Sequence, residues 1–277
     1  MSDAGGGRAV DRGRSARGLF GLSGRRVLVT GGTRGLGEQI VRLLAAEGAR
    51  VATCARTAED LDVLRKSLAS PGSGQLFTRA LDVTAPERLE GFVAAAARRF
   101  GGLDGVVASA GGSRGRGLER TDAADWAATW ELNVGHTARL VRAAVPPLRT
   151  AGGGSVVVVS SISGWKPGPD AQYGSAKAAQ IHLAASLARE LGPDGIRVNA
   201  VSPGSMLVPG RRWDRMRTRE PEAFAAFVRT ELPGGGPVAP QEVARVVAFL
   251  LSDASSGISG ANLPVDRAQN APSPDGY

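Results

Sequence analysis

From Arg25 onward, short runs of consecutive apolar residues alternate with longer segments whose apolar residues recur every three or four positions. The first run, "RVLVT" (26–30), reads as a strand. "GLGEQIVRLLAAEGA" then reads as a helix, with Ile40, Val41, Leu43 and Leu44 on one face and Gly48 as its stop. The alternation continues with a strand at "RVATCA" (50–55), a helix over about 58–69, and a strand within "GQLFTRALDV". A helix over about 85–99 and a strand at "LDGVVASA" (103–110) follow, and one long helix is predicted over about 122–148. "SVVVVSS" (155–161) and "IRVNAVSPG" (196–204) are strands on either side of a helix at 171–191. A helix at 241–253 and a short strand at "ANLPV" (261–265) complete the pattern.

Strands separated by helix-length segments imply βαβ units and a parallel sheet. Runs such as "VVVVS" are apolar on successive residues, so both faces of the sheet are expected to be covered by helices. The expected fold is a three-layer α/β/α domain with a parallel sheet over residues 18–268. Residues 205–239 break the alternation. They are rich in Arg, Pro and Gly and follow the end of a strand, where a substrate lid would sit.

Composition narrows the function more than the fold. Apolar residues make up 42% of the 277-residue chain and charged residues 22%, as in a globular protein. No apolar run approaches the ~18 residues that span a bilayer, so no membrane partner is expected. The net charge of +8 raises the question of nucleic acid. Much of the excess, however, lies at Arg8, Arg12, Arg14, Arg17, Arg25 and Arg26, and the rest is interspersed with acids. An anionic cofactor or substrate suits that distribution better than a nucleic acid. Residues 1–17 lack the apolar core of a secretory signal and read as a disordered basic tail, and 269–277 read as a C-terminal tail. The single cysteine, Cys54, lies in an apolar strand and reads as a buried small hydrophobe in a reduced, cytoplasmic protein.

Candidate chemistry begins with "VLVTGGTRGLGEQI", which joins the first strand to the first helix. Gly31, Gly35 and Gly37 permit a tight turn and close approach of backbone N–H groups to a pyrophosphate at the helix N-terminus. A carboxylate at the end of the second strand would accept from bare ribose hydroxyls. Ala55 stands there instead, followed by Arg56, with Arg34 inside the glycine loop. Two guanidinium forks and no acid suit a 2′-phosphate, so NADP(H) is expected over NAD(H).

Only three of the 34 basic residues are lysines, and one of them, Lys177, lies four residues after Tyr173. On a helix the two share a face. A free phenol, with a pKa near ~10, is a poor acid–base group at neutral pH, and a neighbouring ammonium is expected to lower that value. Ser160 and Ser161 end the fifth strand, and Asn133 lies in the long preceding helix. A hydroxyl, a phenol, an ammonium and an amide beside a dinucleotide make a carbonyl-reducing site.

Taken together and in order, "TGGTRGLG", "LDV" (81–83), "ASAG" (108–111), Asn133, "SSISG", "YGSAK" and "VNAVSPG" resemble the short-chain dehydrogenase/reductase family over about residues 22–268. The resemblance implies a Rossmann-like, doubly wound three-layer α/β/α fold with a parallel sheet of about seven strands. It also implies a dimer or tetramer, with a homotetramer expected, assembled through the helices at 122–148 and 171–191. By position, Tyr173 corresponds to the general acid–base, and Lys177 to the residue that lowers its pKa and binds the nicotinamide ribose. Ser161, with Ser160 as the fallback, matches the serine that hydrogen-bonds the substrate oxygen. Asn133 matches the residue that holds a relay water. The cofactor cradle implied is the loop Gly31, Thr33, Arg34, Gly35, Leu36 and Gly37 together with Arg56. Asp82 and Val83 would meet adenine, with Ala108, Ala110 and Gly111 beside the cofactor. Pro203 and Gly204 would border the nicotinamide, with Met206 near its carboxamide. The chain departs from the family where Ala108-Ser109 replaces an Asn pair, Val208 a Thr, and Arg267-Ala268 a Gly pair.

Within 210–236, two short helices split near Pro221 are expected. Trp213, Phe224 and Phe227 are candidates to line an apolar pocket, and Arg211, Arg212, Arg215, Arg217 and Arg219 to meet an anion. No residue cluster suggests a metal. The function expected is an NADP(H)-dependent oxidoreductase interconverting a small-molecule ketone and secondary alcohol. The alternatives are a non-catalytic nucleotide sensor, or an epimerase or dehydratase on the same fold.

Overall fold

The computed structural model describes residues 18–69, 74–168 and 170–271. The basic tail expected over 1–17 and the end of the chain from 272 lie outside the described residues. Seven strands form one parallel sheet: β1 (Arg26–Thr30), β2 (Arg50–Ala55), β3 (Leu76–Ala80), β4 (Gly105–Ala108), β5 (Gly154–Val159), β6 (Ile196–Pro203) and β7 (Asn262–Val265). Their order is β3-β2-β1-β4-β5-β6-β7. The chain therefore winds outward in both directions from β1 and β4, and the crevice at the carboxyl ends of those two strands is the switch point where such sheets bind ligands.

Consecutive strand residues serve opposite faces. Leu28, Val106, Val156 and Val158 join the core beneath α3 (Pro86–Phe100), α5 (His136–Thr150) and α6 (Ala171–Leu191). Val27, Val29, Val107, Val157 and Val159 join the core beneath α1 (Gly35–Ala46), α2 (Ala58–Ser67) and α9 (Pro240–Leu251). This is the physical basis of the unbroken apolar runs. Each fully buried Val, Leu, Ile or Phe contributes ~1.5–3 kcal/mol to this three-layer arrangement. Cys54 is one of these buried residues, and desolvation pushes its thiol up to about 12, so it stays protonated.

The long helix expected over 122–148 is interrupted. α4 (Ala123–Trp130), capped by the Asp122 carboxylate on the Asp125 N–H, passes through a π turn at Glu131–Gly135 before α5 begins. One extra residue per turn widens the helix at Asn133, and its physical reason is found in the side-chain bonds described below. After β6, α7 (Arg212–Arg219) and α8 (Pro221–Glu231) lie outside the sheet, separated near Pro221 as expected. Among the described residues, no helix is long and apolar enough to cross a membrane.

Candidate active site

The glycine loop is shaped by its own backbone. Gly31 and Gly35 have φ of +73° and +55°, the left-handed region open mainly to glycine. A Cβ on Gly37 would stand 2.1 Å from the Gly31 carbonyl oxygen, so the first turn of α1 folds directly onto the loop. The N-cap residue Arg34 offers α1 no side-chain capping bond, which leaves the first-turn N–H groups to an anion. Thr33 lies within the loop and Leu36 packs into the core beneath it.

Across the switch point, the Thr30 hydroxyl accepts from the Ser109 N–H at 3.1 Å and the Ala110 N–H at 3.2 Å. This bond braces the turn where the chain lacks the family's Asn pair. Ala108 is buried at the end of β4, and Ala110 lies close against Gly31. On the far side, Asp82 Oδ1 accepts from the Thr84 N–H at 2.9 Å and its hydroxyl at 2.8 Å. Burial opposes the charged form of Asp82, but the Thr84 bonds outweigh it and hold the carboxyl below its usual range. Val83 beside it is buried.

Arg34, Gly35, Glu38, Val208, Pro209, Gly210 and Arg211 line a cavity of about 360 Å3 at the mouth of the loop. Val208, where the family has Thr, rests on Gly35. The Arg34 guanidinium is held below its ordinary pKa by burial, then by the charges of Arg211 and Arg56. Three cations therefore converge on this edge. Arg56 was read from the sequence in this role. Arg211 was read only as a lid charge, because nothing in its local pattern signals that it returns to the glycine loop.

At the carboxyl end of β5 the two serines divide. Ser160 is buried and donates to the Lys177 carbonyl at 2.8 Å, a structural bond. Ser161 accepts from the Ser163 N–H at 3.1 Å, and its hydroxyl lies near enough to Tyr173 to favour the phenolate. Lys177 Nζ lies 5.4 Å from the centre of the Tyr173 ring, and donates to Val159 O at 3.0 Å and Gln180 Oε1 at 2.7 Å. Ser161, Tyr173 and Lys177 thus come together.

Their proton affinities differ from the sequence expectation. Desolvation raises the Tyr173 phenol, and the nearby Ser161 hydroxyl offsets this only partly. Lys177 is itself pushed down to about 7 by burial, so near neutrality it does not offer the full positive charge that would acidify the phenol.

Asn133 is fully buried, with its side chain committed to the backbone. Nδ2 donates to Gly112 O and Thr129 O, each at 2.7 Å, and Oδ1 accepts from the Gly112 N–H at 3.3 Å. Its main-chain carbonyl accepts from Thr137 Oγ1 at 2.6 Å and Gln180 Nε2 at 2.9 Å. The π turn gives the carbonyl to side chains. A Cβ on Gly111 would lie 2.9 Å from Asn133 Oδ1 and 3.3 Å from Lys177 Nζ, so Gly111 lets the β4 turn pass over both.

Beyond β6, a Cβ on Gly204 would lie 2.7 Å from Asp266 Cβ, and Gln269 binds Ser205 at its N–H and hydroxyl. Pro203 ends β6 in register with Val265, and Met206 bridges to Val238. The buried bridges of Gln180 and Gln269 escaped sequence reading, since a Gln in an apolar helix or loop carries no motif. The rings of Trp213 and Phe227 stack 4.0 Å apart, with Phe224 against Phe227, so these aromatics pack largely on one another.

A family model described as enoyl-(acyl carrier protein) reductase matches residues 31–267. Isoepoxydon dehydrogenase patN of Aspergillus clavatus is 36% identical over 249 residues, covering 88% of this chain and 94% of that protein. The chain belongs to the short-chain dehydrogenase/reductase family. Within this family, the 3-oxoacyl-[acyl-carrier-protein] reductase FabG of Vibrio cholerae is 33% identical over 246 residues, 88% of this chain and 97% of that protein. The crystal structure of L-sorbose reductase from Gluconobacter frateurii, complexed with NADPH and L-sorbose, superposes with a TM-score of 0.82. That enzyme is 29% identical, and the match covers 89% of this chain and 97% of the other. The protein is thus an oxidoreductase of the short-chain family, whose members bind a nicotinamide cofactor and act on small molecules.

Proposed function

We propose that this short-chain dehydrogenase/reductase is an NADP(H)-dependent ketoreductase, interconverting a ketone and a secondary alcohol with Tyr173 as general acid–base. The observation that carries the reading is the gathering of Ser161, Tyr173 and Lys177 at the carboxyl end of β5, with the Ser161 hydroxyl acting on the phenol and the Lys177 amine 5.4 Å from the centre of its ring. The residues fit the cofactor. The Gly31–Gly37 loop leaves no room for a Cβ at Gly37, and the first-turn N–H groups of α1 are not capped by Arg34. The cradle proposed is Gly31, Thr33, Arg34, Gly35, Leu36, Gly37, Arg56, Asp82, Val83, Ala108, Ala110, Gly111, Pro203, Gly204 and Met206, with Tyr173 and Lys177. The convergence of Arg34, Arg56 and Arg211 supports the preference for NADP(H), because an added phosphate relieves their mutual repulsion.

A bound reduced nicotinamide would supply the hydride. Ser161 donates to the carbonyl oxygen and stabilises the charge that develops there. Tyr173 would deliver its proton to that oxygen, with the Ser161 hydroxyl favouring the phenolate left behind and burial opposing it. Lys177 is placed to bind ribose hydroxyls and to balance the phenolate formed. Asn133 holds the turn through Gly112 that passes over Lys177.

The segment 205–239 is proposed as a lid, joined to the body by the Lys166–Glu231 ion pair at 2.8 Å and closed at its two ends by the Met206–Val238 bridge. Assembly as a homotetramer through α4, α5 and α6 is supported by Trp130, 49% exposed at the end of α4. A cytoplasmic location completes the reading.

Tyr173→Phe is expected to abolish turnover while leaving NADPH affinity nearly intact. Consumption of NADPH with a panel of ketones, followed by absorbance, and NADPH binding followed by fluorescence are the measurements. Substantial turnover in the variant would overturn the assignment. Binding without consumption by the native chain would favour a nucleotide sensor.

A further inference from the structure

Lys177 carries three N–H donors in a buried place. Two are met, by Val159 O at 3.0 Å and by Gln180 Oε1 at 2.7 Å. Gln180 lies three residues further along α6 and is itself fully buried. Its Nε2 donates to Asn133 O at 2.9 Å and to Thr137 Oγ1 at 3.1 Å. The Thr137 hydroxyl spends its proton on the same Asn133 carbonyl, so it meets Gln180 as an acceptor. Both partners on that side accept, and this settles which way the amide points. A reversed amide would place its NH2 against the ammonium and its oxygen against two acceptors.

A buried amide is costly unless its polar atoms are bonded, and here both ends are. An apolar side chain would fill the space without that requirement. What the amide adds is a rigid link, from the π turn between α4 and α5 to the amine of α6, with a fixed acceptor for that amine.

We infer that Gln180 is a positioning residue for Lys177, anchoring its ammonium to the Asn133 carbonyl turn and leaving the third N–H for the crevice. The inference rests on the proposed role of Lys177 beside Tyr173. It adds that the Asn133 carbonyl is committed to a side chain of this protein, so the amine is held by the fold.

The groups facing Lys177 are few. Tyr173 lies on its own helix, and β5 contributes the Val159 carbonyl. From α5, His136 faces it with its pKa pushed to about 4 by burial, and is therefore neutral near pH 7, with Asp82 acting on His136 from beyond. Gln180 Oε1 stabilises the charged amine, so its removal lowers the Lys177 pKa and a carboxylate in its place raises it.

The chain has only three lysines, so 15N-lysine labelling gives three Nζ signals to follow against pH in the protein without cofactor. Lys66, exposed, and Lys166, paired with Glu231, serve as references. The Lys177 midpoint is expected near 7 in the native chain. It should fall by about one unit in Gln180→Leu and rise by about one unit in Gln180→Glu, as expected for loss of a hydrogen-bond acceptor and gain of a charge. The alkaline limb of kcat with NADPH and a reducible ketone should move in the same directions. Midpoints unchanged in both variants would overturn the inference. If Gln180→Leu fails to fold, as judged by thermal melting, the near-isosteric Gln180→Glu decides alone. The titration needs no turnover, so a native chain that consumed no NADPH would count against the ketoreductase reading and leave this test standing.

Discussion

Arg34, Arg56 and Arg211 come from a loop, a strand end and the segment after β6, yet their charges act on one another. Their repulsion is offset in part by Asp60, and a bound anion would relieve it further. A charge-assisted hydrogen bond contributes about 1.5–3 kcal/mol, so reversing one of these charges has a readable effect. Arg56→Glu is expected to lower kcat/KM for NADPH by roughly tenfold or more, with kcat/KM for NADH unchanged or raised. Equal losses with both cofactors would remove Arg56 from the 2′-phosphate site. At this scale the sequence was informative wherever residue type and spacing carry the chemistry. Tyr173, Lys177, Ser161 and the glycines were all legible. The proton affinity of Tyr173 was not, because it depends on how much water the fold removes, and burial raises it where the neighbouring amine alone would lower it.

The elements followed the apolar pattern closely, since a 3.6-residue period on one face and unbroken β-branched runs need different surroundings. The π turn at Glu131–Gly135 was hidden. One extra residue within a helix hardly disturbs that period, and the bonds that hold the turn come from Thr137 and from Gln180 on another helix. A second departure lies after β7. Arg267 and Ala268 have φ of +53° and +67°, where the family carries glycines. The loop is held by the Arg267–Glu242 ion pair and by Asp266 Oδ1 accepting from the Ala268 N–H at 3.1 Å. A left-handed non-glycine residue costs roughly 1–2 kcal/mol. Ala268→Gly is therefore expected to stabilise the protein by about 1 kcal/mol, raising Tm by about 2–4 °C in thermal denaturation. An unchanged or lowered Tm would mean that the strain is absent.

Across the whole molecule, one buried group ties folding to pH. His136 is fully buried, and neither ring nitrogen has a hydrogen-bond partner among the described residues. Burial depresses its pKa from 6.5 to about 4. Between those values the unfolded chain binds a proton that the folded chain refuses, so stability falls as pH drops through this window, by about 3 kcal/mol. His136→Leu should remove that part of the acid sensitivity, as read from urea unfolding at pH 7 and pH 4.5. A variant that loses as much stability on acidification as the native chain would contradict this. The sequence by itself determined the strand–helix alternation, the two-sided burial of the sheet, the glycine loop and the Tyr–Lys pair, because each is written in residues near one another along the chain. The tertiary structure alone decided that Arg211 returns to the glycine loop, that Gln180 joins Lys177 to the Asn133 carbonyl, and that Tyr173 and Lys177 are desolvated. Those outcomes depend on through-space distance and the exclusion of water, which exist only once the layers have packed.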